Sequence, residues 1–399
     1  MRLPEAFSFA CPLKISCGRL ALAHLPAALS DCNAHAPLIL AARDSVGAHP
    51  IKTVVNAFKT TGLTVCLFDR LPDRPAVELI PLLKRVYRDG ACDSIIAVGS
   101  GSVVDTAKCL NLTVSVGARG ELDLDRLARM EPGPQRPLIL VATPGGNGDE
   151  ATGYASYGSQ RLCSSRLIPA AAFIDPALMG VGADRDVVDG ALTALAHAVE
   201  AFLDASAGPM CRAYAHTAIA LVMHHLPRVL RKQDRKQSLC AVVNGQIAAG
   251  VAFFASSPGI CHALATGLKA WTDLPPGFLM AILLPHLLET VGALQVGPVG
   301  ELLYPMVGTN LFAMTATNLK TPRAIALLWE FLDAINAEIS FKVPISLDEA
   351  GLTAEQLRHA QDGLGRGALA DTVSRIIAGA RKGPVFMSDD GVFNATVDP

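Results

Sequence analysis

The sequence predicts an α/β protein of two domains: a mainly parallel sheet covered by helices over residues 1–182, then an all-helical domain over residues 183–399. The first half alternates short apolar, β-branched runs with helix-compatible segments, which is typical of a parallel sheet buried on both faces. The second half loses these runs and consists of long windows rich in Ala and Leu. A chain of 399 residues is long enough for two such domains.

Each element is predicted from a local pattern. Five apolar runs predict strands, at 37–42, 63–68, 94–98, 138–141 and 171–174. Helices are predicted at 51–60, at 75–88 and after Ser102, and Pro81 is expected to kink the second of these or to delay its start. Eight windows predict the helices of the second half, at 184–205, 209–226, 238–255, 260–271, 277–294, 321–340, 354–361 and 368–381. Residues 227–237 contain several Lys and Arg and predict a solvated loop between helices.

The stretch 95–108, I-I-A-V-G-S-G-S-V-V-D-T-A-K, predicts an anion site. A β-branched run stops at Gly99-Ser100-Gly101-Ser102, and a helix follows with Asp105 in its first turn. Glycines let the backbone approach a phosphate, and the free N–H groups and dipole of a helix N-terminus favour negative charge. The spacing is not G-x-G-x-x-G, so a plain strand-to-helix turn is the alternative interpretation.

Composition excludes several classes of partner. The net charge of −2 argues against nucleic acid and against an anionic membrane surface. No apolar run is expected to reach the ~18–20 residues of a membrane span, and the best candidate, 278–294, is interrupted by Pro, His and Glu. The ten cysteines are scattered without a C-x-x-C pair, which favours free thiols in a reducing compartment. We therefore expect a cytoplasmic protein with a small-molecule partner.

Five motifs resemble, in the same order, those of the iron-dependent (group III) alcohol dehydrogenases. They are G-S-G-S-V-V-D-T-A-K at 99–108, A-T-P-G-G-N-G-D-E-A-T at 142–152, D-P-A-L at 175–178, A-L-T-A-L-A-H-A-V-E-A at 191–201, and a block at 259–286 that ends in A-I-L-L-P-H. The resemblance covers roughly residues 6–295 and is thin beyond. It implies the iron-alcohol-dehydrogenase, dehydroquinate-synthase-like fold, with a nucleotide-binding α/β domain, a helical metal-binding domain and hydride transfer between alcohol and aldehyde or ketone.

The resemblance implies a cofactor site in the first domain. Carried over by position, the residues that would contact NAD(P) are Asp44, Gly99, Ser100, Gly101, Ser102, Asp105, Thr143, Asn147 and Leu178. The turn at 99–102 would hold the pyrophosphate. A carboxylate at Asp44 would repel a 2′-phosphate and accept from a 2′-hydroxyl, which favours NAD over NADP. An ordinary loop aspartate is the alternative for Asp44.

The resemblance also implies a divalent metal, Fe or Zn, held by one Asp and three His. His197 and His262 stand at two of these positions, whereas Thr193 and Pro276 stand at the other two. Thr266 stands where the family places a further His close to the substrate. Two imidazoles without a carboxylate form a poor Fe²⁺ site, so we do not expect tightly bound iron. Helical spacing stacks Thr193 on His197 and His262 on Thr266.

The helix around 184–205 is expected to turn its polar stripe toward the cleft between the domains. Thr193, His197 and Glu200 form this stripe, opposite an apolar stripe. Glu150 is interpreted as a carboxylate that anchors its loop rather than as a base. The histidines have an alternative interpretation as hydrogen-bonded interior residues.

Three functions are compatible with these residues. The first is an NAD(H)-dependent oxidoreductase that acts slowly on a small carbonyl compound, because a metal Lewis acid contributes several kcal/mol of transition-state stabilisation; its catalytic residues would be His197, His262, Thr193 and Thr266. The second is a non-catalytic, nucleotide-binding pseudoenzyme. The third is an enzyme for a carbonyl substrate with a carboxylate or phosphonate group, bound by Arg161 or Arg166. A homodimer is expected in each case.

Overall fold

The computed structural model describes residues 4–42, 48–72, 74, 77–116, 124–129, 134–158, 160–180, 182–295, 297–362 and 368–383. Its strands are β1 (Lys14–Cys17), β2 (Pro37–Ala42), β3 (Cys66–Leu71), β4 (Ser94–Gly99), β5 (Leu138–Ala142), β6 (Tyr154–Tyr157), β7 (Gln160–Cys163) and β8 (Ala171–Ile174). Six of them form one parallel sheet in the order β1-β8-β5-β4-β2-β3, and β6 and β7 form a separate antiparallel hairpin.

Helices account for most of the remaining chain. The helices of the first half are α1 (Leu25–Asp31), α2 (Ala48–Asn56), α3 (Ile80–Asp89), α4 (Ser102–Val116) and α5 (Leu124–Arg129). Those of the second half are α6 (Asp184–Leu203), α7 (Pro209–Leu230), α8 (Arg235–Phe254), α9 (Ile260–Leu268), α10 (Pro276–Leu294), α11 (Leu303–Met314), α12 (Thr317–Glu338), α13 (Ala354–Asp362) and α14 (Ala368–Lys382). The predicted fold class, a parallel α/β region followed by a helical region, is confirmed.

The central strands are buried on both faces. Every residue of β2, β4 and β5 is buried, and alternate residues point into different cores. Leu38 and Leu40 of β2 belong to a large core shared with the helical region, whereas Ile39 and Ala41 belong to a smaller core with α1. This two-sided burial explains why these strands are continuous apolar runs instead of alternating ones.

The chain reverses its direction of progress across the sheet between β2 and β4. These strands are neighbours, yet the chain continues from β2 outward to β3 and from β4 toward β5 on the other side. Crevices at such switch points, beyond the carboxyl ends of the strands, are the usual ligand sites of open α/β sheets. The glycine-serine turn follows β4 at this point. The predicted ribose contact, Asp44, lies outside the described residues.

Some predicted boundaries were wrong. The basic stretch 227–237 is not one loop, because α7 continues to Leu230 and α8 begins at Arg235. Arg235 donates to Asp184 Oδ1 at 2.6 Å and to the Val229 carbonyl, so tertiary contacts use part of the charge that suggested solvation. β3 begins later than predicted, and α1, α5, α11, β1 and the β6–β7 hairpin were not predicted because their patterns are short or interrupted. The delayed start of α3, with Pro81 in its first turn, is confirmed.

Two helices, α8 and α10, are long and apolar enough to cross a membrane, so the expectation that no segment reaches that length was wrong. Buried positions make up 78% and 72% of their apolar windows, which is what a core helix of a folded domain also shows. The apolar composition therefore serves packing inside this structure and is weak evidence for a span. All ten cysteines lie in the described part of the chain and are free thiols, as predicted.

Candidate active site

The turn at 99–102 joins β4 to α4 and has the backbone of an anion cradle. Gly99 and Gly101 have φ values of 151° and 49°, whereas Ser100 is not among the residues with positive φ. A Cβ at Gly101 would meet no atom within 4 Å, so the outer side of the turn is open. A Cβ at Gly99 would lie 3.0 Å from the Val103 side chain, so the turn packs closely onto the helix that it begins. These features fit a phosphate at a helix N-terminus.

Two side chains of the D-x-A-K sequence in α4 point into the protein. Burial, followed by the charge of Asp149, raises the pKa of Asp105 to about 7, and the charge of Lys108 and hydrogen bonds from Ser156 oppose this shift. Lys108 is fully buried, and its ammonium donates to three backbone carbonyls, those of Asp149 (2.5 Å), Thr152 (2.8 Å) and Tyr154 (2.8 Å). All three ammonium donors thus have partners. Lys108 fixes segment 149–154 to the helix that carries the anion cradle.

The other predicted cofactor residues lie in or near this segment. Thr143 and Leu178 are buried, and Leu178 belongs to the smaller core of the sheet. The side chain of Asn147 accepts from the Asp149 N–H and donates to the Asp149 carboxylate, both at 3.0 Å. The cofactor roles of these residues stay predictions. The Glu150 carboxylate accepts from Gly148 N at 3.0 Å, which agrees with its interpretation as a loop anchor.

Segment 145–150 packs directly on the backbone of two helices of the second half. A Cβ at Gly190 in α6 would lie 2.1 Å from the Gly146 carbonyl oxygen, and a Cβ at Gly250 in α8 would lie 1.8 Å from that of Gly148. Only glycine permits such approaches. The segment is therefore the structural link between the sheet region and the helices that carry the histidines.

The structure brings His197 of α6 and His262 of α9 together. His197 Nε2 lies 2.9 Å from His262 Nδ1, and the His197 ring stacks on Phe253 with 3.9 Å between centroids. On its other side, His262 Nε2 lies 2.5 Å from Nη1 of Arg161. Burial lowers the pKa of His197 well below its usual value, and burial together with Arg161 lowers the pKa of His262 to about 4. Both imidazoles are therefore neutral at physiological pH.

The guanidinium of Arg161 is the group of this site that sequence reasoning located least well. Arg161 extends from β7, donates to Asp149 Oδ1 at 3.4 Å and lies 4.2 Å above the Tyr154 ring centroid. Its side chain is 33% exposed. Arg166, the other arginine suggested for an acidic substrate, is buried in a short turn after β7. The hairpin itself was not predicted, so the contact between Arg161 and His262 could not be predicted from the local sequence.

Glu200 was expected to face the cleft, and that expectation was wrong. It is buried, and its two carboxylate oxygens accept from the backbone N–H groups of Cys261 (2.6 Å) and His262 (3.2 Å). It thus caps the N-terminus of α9, where a carboxylate is favoured by the helix dipole. Burial raises the pKa of Glu200 to about 7. Glu200 positions the backbone of His262.

The threonines at the remaining family positions show different surroundings. Thr266 is exposed and its hydroxyl donates to the His262 carbonyl at 2.8 Å, so its proton is already used within the helix. Thr193 is buried, close to the start of α10. There Gly277 N donates to Asp189 Oδ1 at 2.6 Å, and Pro276 offers no ligand atom. Their catalytic roles stay predictions.

The donor set does not fit a tetrahedral or octahedral divalent metal. Within the described ranges, no group of three or more His, Cys, Asp and Glu residues is arranged to hold a metal ion. The two imidazoles contact each other, and the next charged group at His262 is the guanidinium of Arg161. A cation in that place opposes the binding of a second cation.

Comparison with known proteins gives a consistent family. The model of the iron-containing alcohol dehydrogenases matches residues 12–176, and that of the C-terminal region of the Fe-containing alcohol dehydrogenase family matches residues 187–364. The NAD-dependent methanol dehydrogenase of Bacillus methanolicus is 26% identical over 58% of this chain, and the 1,3-propanediol dehydrogenase of Citrobacter freundii is 30% identical over 59%. The matched part spans 62% of the length of each of these relatives.

Solved structures show the same fold. A 1,3-propanediol oxidoreductase aligns with a TM-score of 0.81 at 22% identity, over 94% of this chain and 99% of its own. The sulfoacetaldehyde reductase of Bifidobacterium kashiwanohense, solved in complex with NAD⁺, aligns with a TM-score of 0.77 at 17% identity, over 94% and 98%. With both family models matched in order along the chain, this protein belongs to the iron-containing alcohol dehydrogenase family.

Proposed function

We propose that this protein is an NAD(H)-dependent oxidoreductase that interconverts a small alcohol and its aldehyde or ketone without tightly bound iron. One chain of contacts carries the proposal. Lys108 fixes α4, which begins at the anion cradle, to segment 149–154, and Asp149 of that segment contacts Arg161, which contacts His262. The anion cradle and the Arg161–His262 pair are thereby attached to one segment of the chain.

The residues present fit a dinucleotide. The open glycine-serine turn at the switch point would hold the pyrophosphate at the N-terminus of α4. When bound, the cofactor supplies the hydride. Relatives whose names include NAD, such as the methanol dehydrogenase, support NAD over NADP, as the prediction for Asp44 does.

The site around His262 supplies the polar surface for the substrate. Hydride addition places negative charge on the carbonyl oxygen, and donors fixed in advance at that oxygen stabilise the transition state. The Arg161 guanidinium is the charged donor that reaches solvent here, with neutral His262 beside it. The named relatives that act on methanol and 1,3-propanediol support a small, polar substrate.

The test measures cofactor binding and turnover on one preparation purified without chelator. NADH is titrated by calorimetry, NADH oxidation is followed with a panel of short aldehydes and ketones, and the metal content is determined. We expect NADH binding, slow carbonyl reduction and less than stoichiometric metal. Rapid ethanol or propanediol oxidation on addition of Fe²⁺ or Zn²⁺ would contradict the iron-free mechanism.

The pseudoenzyme hypothesis makes a different prediction in the same experiment, namely tight NADH binding with no turnover of any carbonyl compound.

Several expectations stay predictions. They are the division of the chain at residue 182, the homodimer, the cytoplasmic location and the absence of membrane and nucleic-acid partners. The oligomer is checked by sedimentation of the purified full chain.

A further inference from the structure

Arg161 is a cation held against the histidine pair by contacts on several sides. Nη1 lies 2.5 Å from His262 Nε2, and Nη2 lies 3.4 Å from Asp149 Oδ1. The guanidinium carbon lies 4.2 Å from the Tyr154 ring centroid and 5.4 Å from that of Phe253. Stacking on aromatic faces and pairing with a carboxylate fix the plane of a guanidinium.

Hydrogen-bond chemistry assigns the protons of the histidine pair. A guanidinium can only donate, so His262 Nε2 accepts and carries no proton. The proton of the neutral His262 ring is then on Nδ1, which donates to His197 Nε2 at 2.9 Å. The lone pairs at His262 Nε2 and His197 Nε2 are therefore both used by protein donors, and a metal ion could bind either nitrogen only after displacing such a donor.

Arg161 also keeps donors for a ligand. A guanidinium has five N–H groups, of which the contacts with His262 and Asp149 use two. The side chain is one-third exposed. A small acceptor from solvent can therefore reach a fixed positive charge beside His262.

We propose that the Arg161 guanidinium takes the place of the divalent cation at this site. It donates a hydrogen bond to His262 Nε2, the nitrogen that a metal would need, and it binds the carbonyl oxygen of the substrate. This inference rests on the proposed function for its catalytic half and is independent of it for its metal half. In the reduction, the carbonyl carbon accepts a hydride from reduced nicotinamide as the C–O π bond breaks. The oxygen, bound to the guanidinium, then takes a proton from water, so that one alcohol, one oxidised nicotinamide and one hydroxide ion, released to solvent, result.

The first experiment tests replacement of the metal without any assay of activity. Zn²⁺ is titrated calorimetrically into chelator-treated wild type, Arg161→Ala, Arg161→Ala/Thr193→Asp and the control Arg323→Ala. Arg323 is 32% exposed and paired with Glu330, so it matches Arg161 in exposure and charge. We expect about 100-fold tighter Zn²⁺ binding in Arg161→Ala than in wild type, since removal of an adjacent cation removes strong repulsion. We expect still tighter binding with the added carboxylate and no change in the control.

Stoichiometric Zn²⁺ binding by wild type that His262→Ala abolishes would overturn the proposal. Equal Zn²⁺ affinities of wild type and Arg161→Ala, with the wild-type thermal unfolding transition retained as evidence of folding, would overturn it as well.

The second experiment tests binding of the carbonyl oxygen. Loss of one preorganised donor typically lowers kcat about 100-fold, which we expect for Arg161→Met with an unchanged Kd for NADH. Arg323→Met should retain wild-type turnover, and added methylguanidine should restore part of the activity of Arg161→Ala. Wild-type turnover in Arg161→Met would overturn the catalytic half. If wild type itself reduces no carbonyl compound, the proposed function fails, and the Zn²⁺ titration still decides whether Arg161 replaces the metal.

Discussion

Lys108 and Arg161 are two cations that contact the same segment, 149–154. They differ in burial, in their hydrogen-bond partners and in the number of N–H groups left for a ligand. Lys108 is fully buried and donates all its protons to backbone carbonyls. Arg161 is one-third exposed, contacts side chains and has N–H groups that the contacts with His262 and Asp149 do not use. A cation whose donors are all used by the backbone can only hold the chain together, whereas one with donors left over can bind a ligand.

The largest expected effect is on stability and separates these two roles directly. Lys108→Met removes three hydrogen bonds and leaves Asp105 and Glu150 buried without their cation, so we expect the free energy of unfolding to fall by about 3–5 kcal/mol. Arg161→Met is the matched change at the other cation and should cost less than about 1 kcal/mol, as for partly exposed ion pairs. Urea denaturation of both variants is the measurement. A larger loss in Arg161→Met would reverse the assignment of the two roles.

The next effect tests whether the segment is held by backbone packing as well as by Lys108. Gly250→Ala places a Cβ 1.8 Å from the Gly148 carbonyl oxygen, and overpacking of this kind costs about 1–3 kcal/mol. Gly267→Ala is the control, because its Cβ would meet no atom closer than 3.8 Å and alanine favours a helix by up to about 1 kcal/mol. The melting temperature should therefore fall in Gly250→Ala and rise in Gly267→Ala. Equal shifts of the melting temperature in the two variants would show that segment 145–150 moves away from the added Cβ without loss of stability.

The third effect, the smallest when taken per unit of pH, concerns Glu200, which accepts hydrogen bonds from the backbone N–H groups of Cys261 and His262. The folded-state pKa of Glu200, about 7, lies above its ordinary value of 4.5, so the folded protein binds a proton that the unfolded chain has released in this interval. The contribution of Glu200 to stability is therefore full below pH 4.5 and declines as pH rises to about 7, by about 1.4 kcal/mol per pH unit. The free energy of unfolding of wild type minus that of Glu200→Gln should fall over this range and be constant above about pH 7. A difference independent of pH would mean that burial does not perturb this carboxyl.

The strand, turn and helix at 94–116 were predicted from the sequence because they depend on local signals. The strand, the two glycines and the helix that begins at Ser102 are neighbours in the chain, and each has its own conformational preference. The sequence also identified Thr193 and Pro276 as departures from the family pattern. It misjudged Glu200, because a polar residue on a helix face can point equally to solvent or to the N-terminus of another helix.

What the amino-acid sequence determined by itself is a parallel α/β region followed by a helical region, with a glycine-serine turn between β4 and α4. Only the tertiary structure decided what stands beside the histidines. Arg161 and His262 are 101 positions apart, and they meet because a short hairpin packs on α4 and extends the Arg161 side chain to α9. Periodicity and propensity act over a few residues, whereas the contact of a guanidinium with an imidazole depends on how whole elements pack.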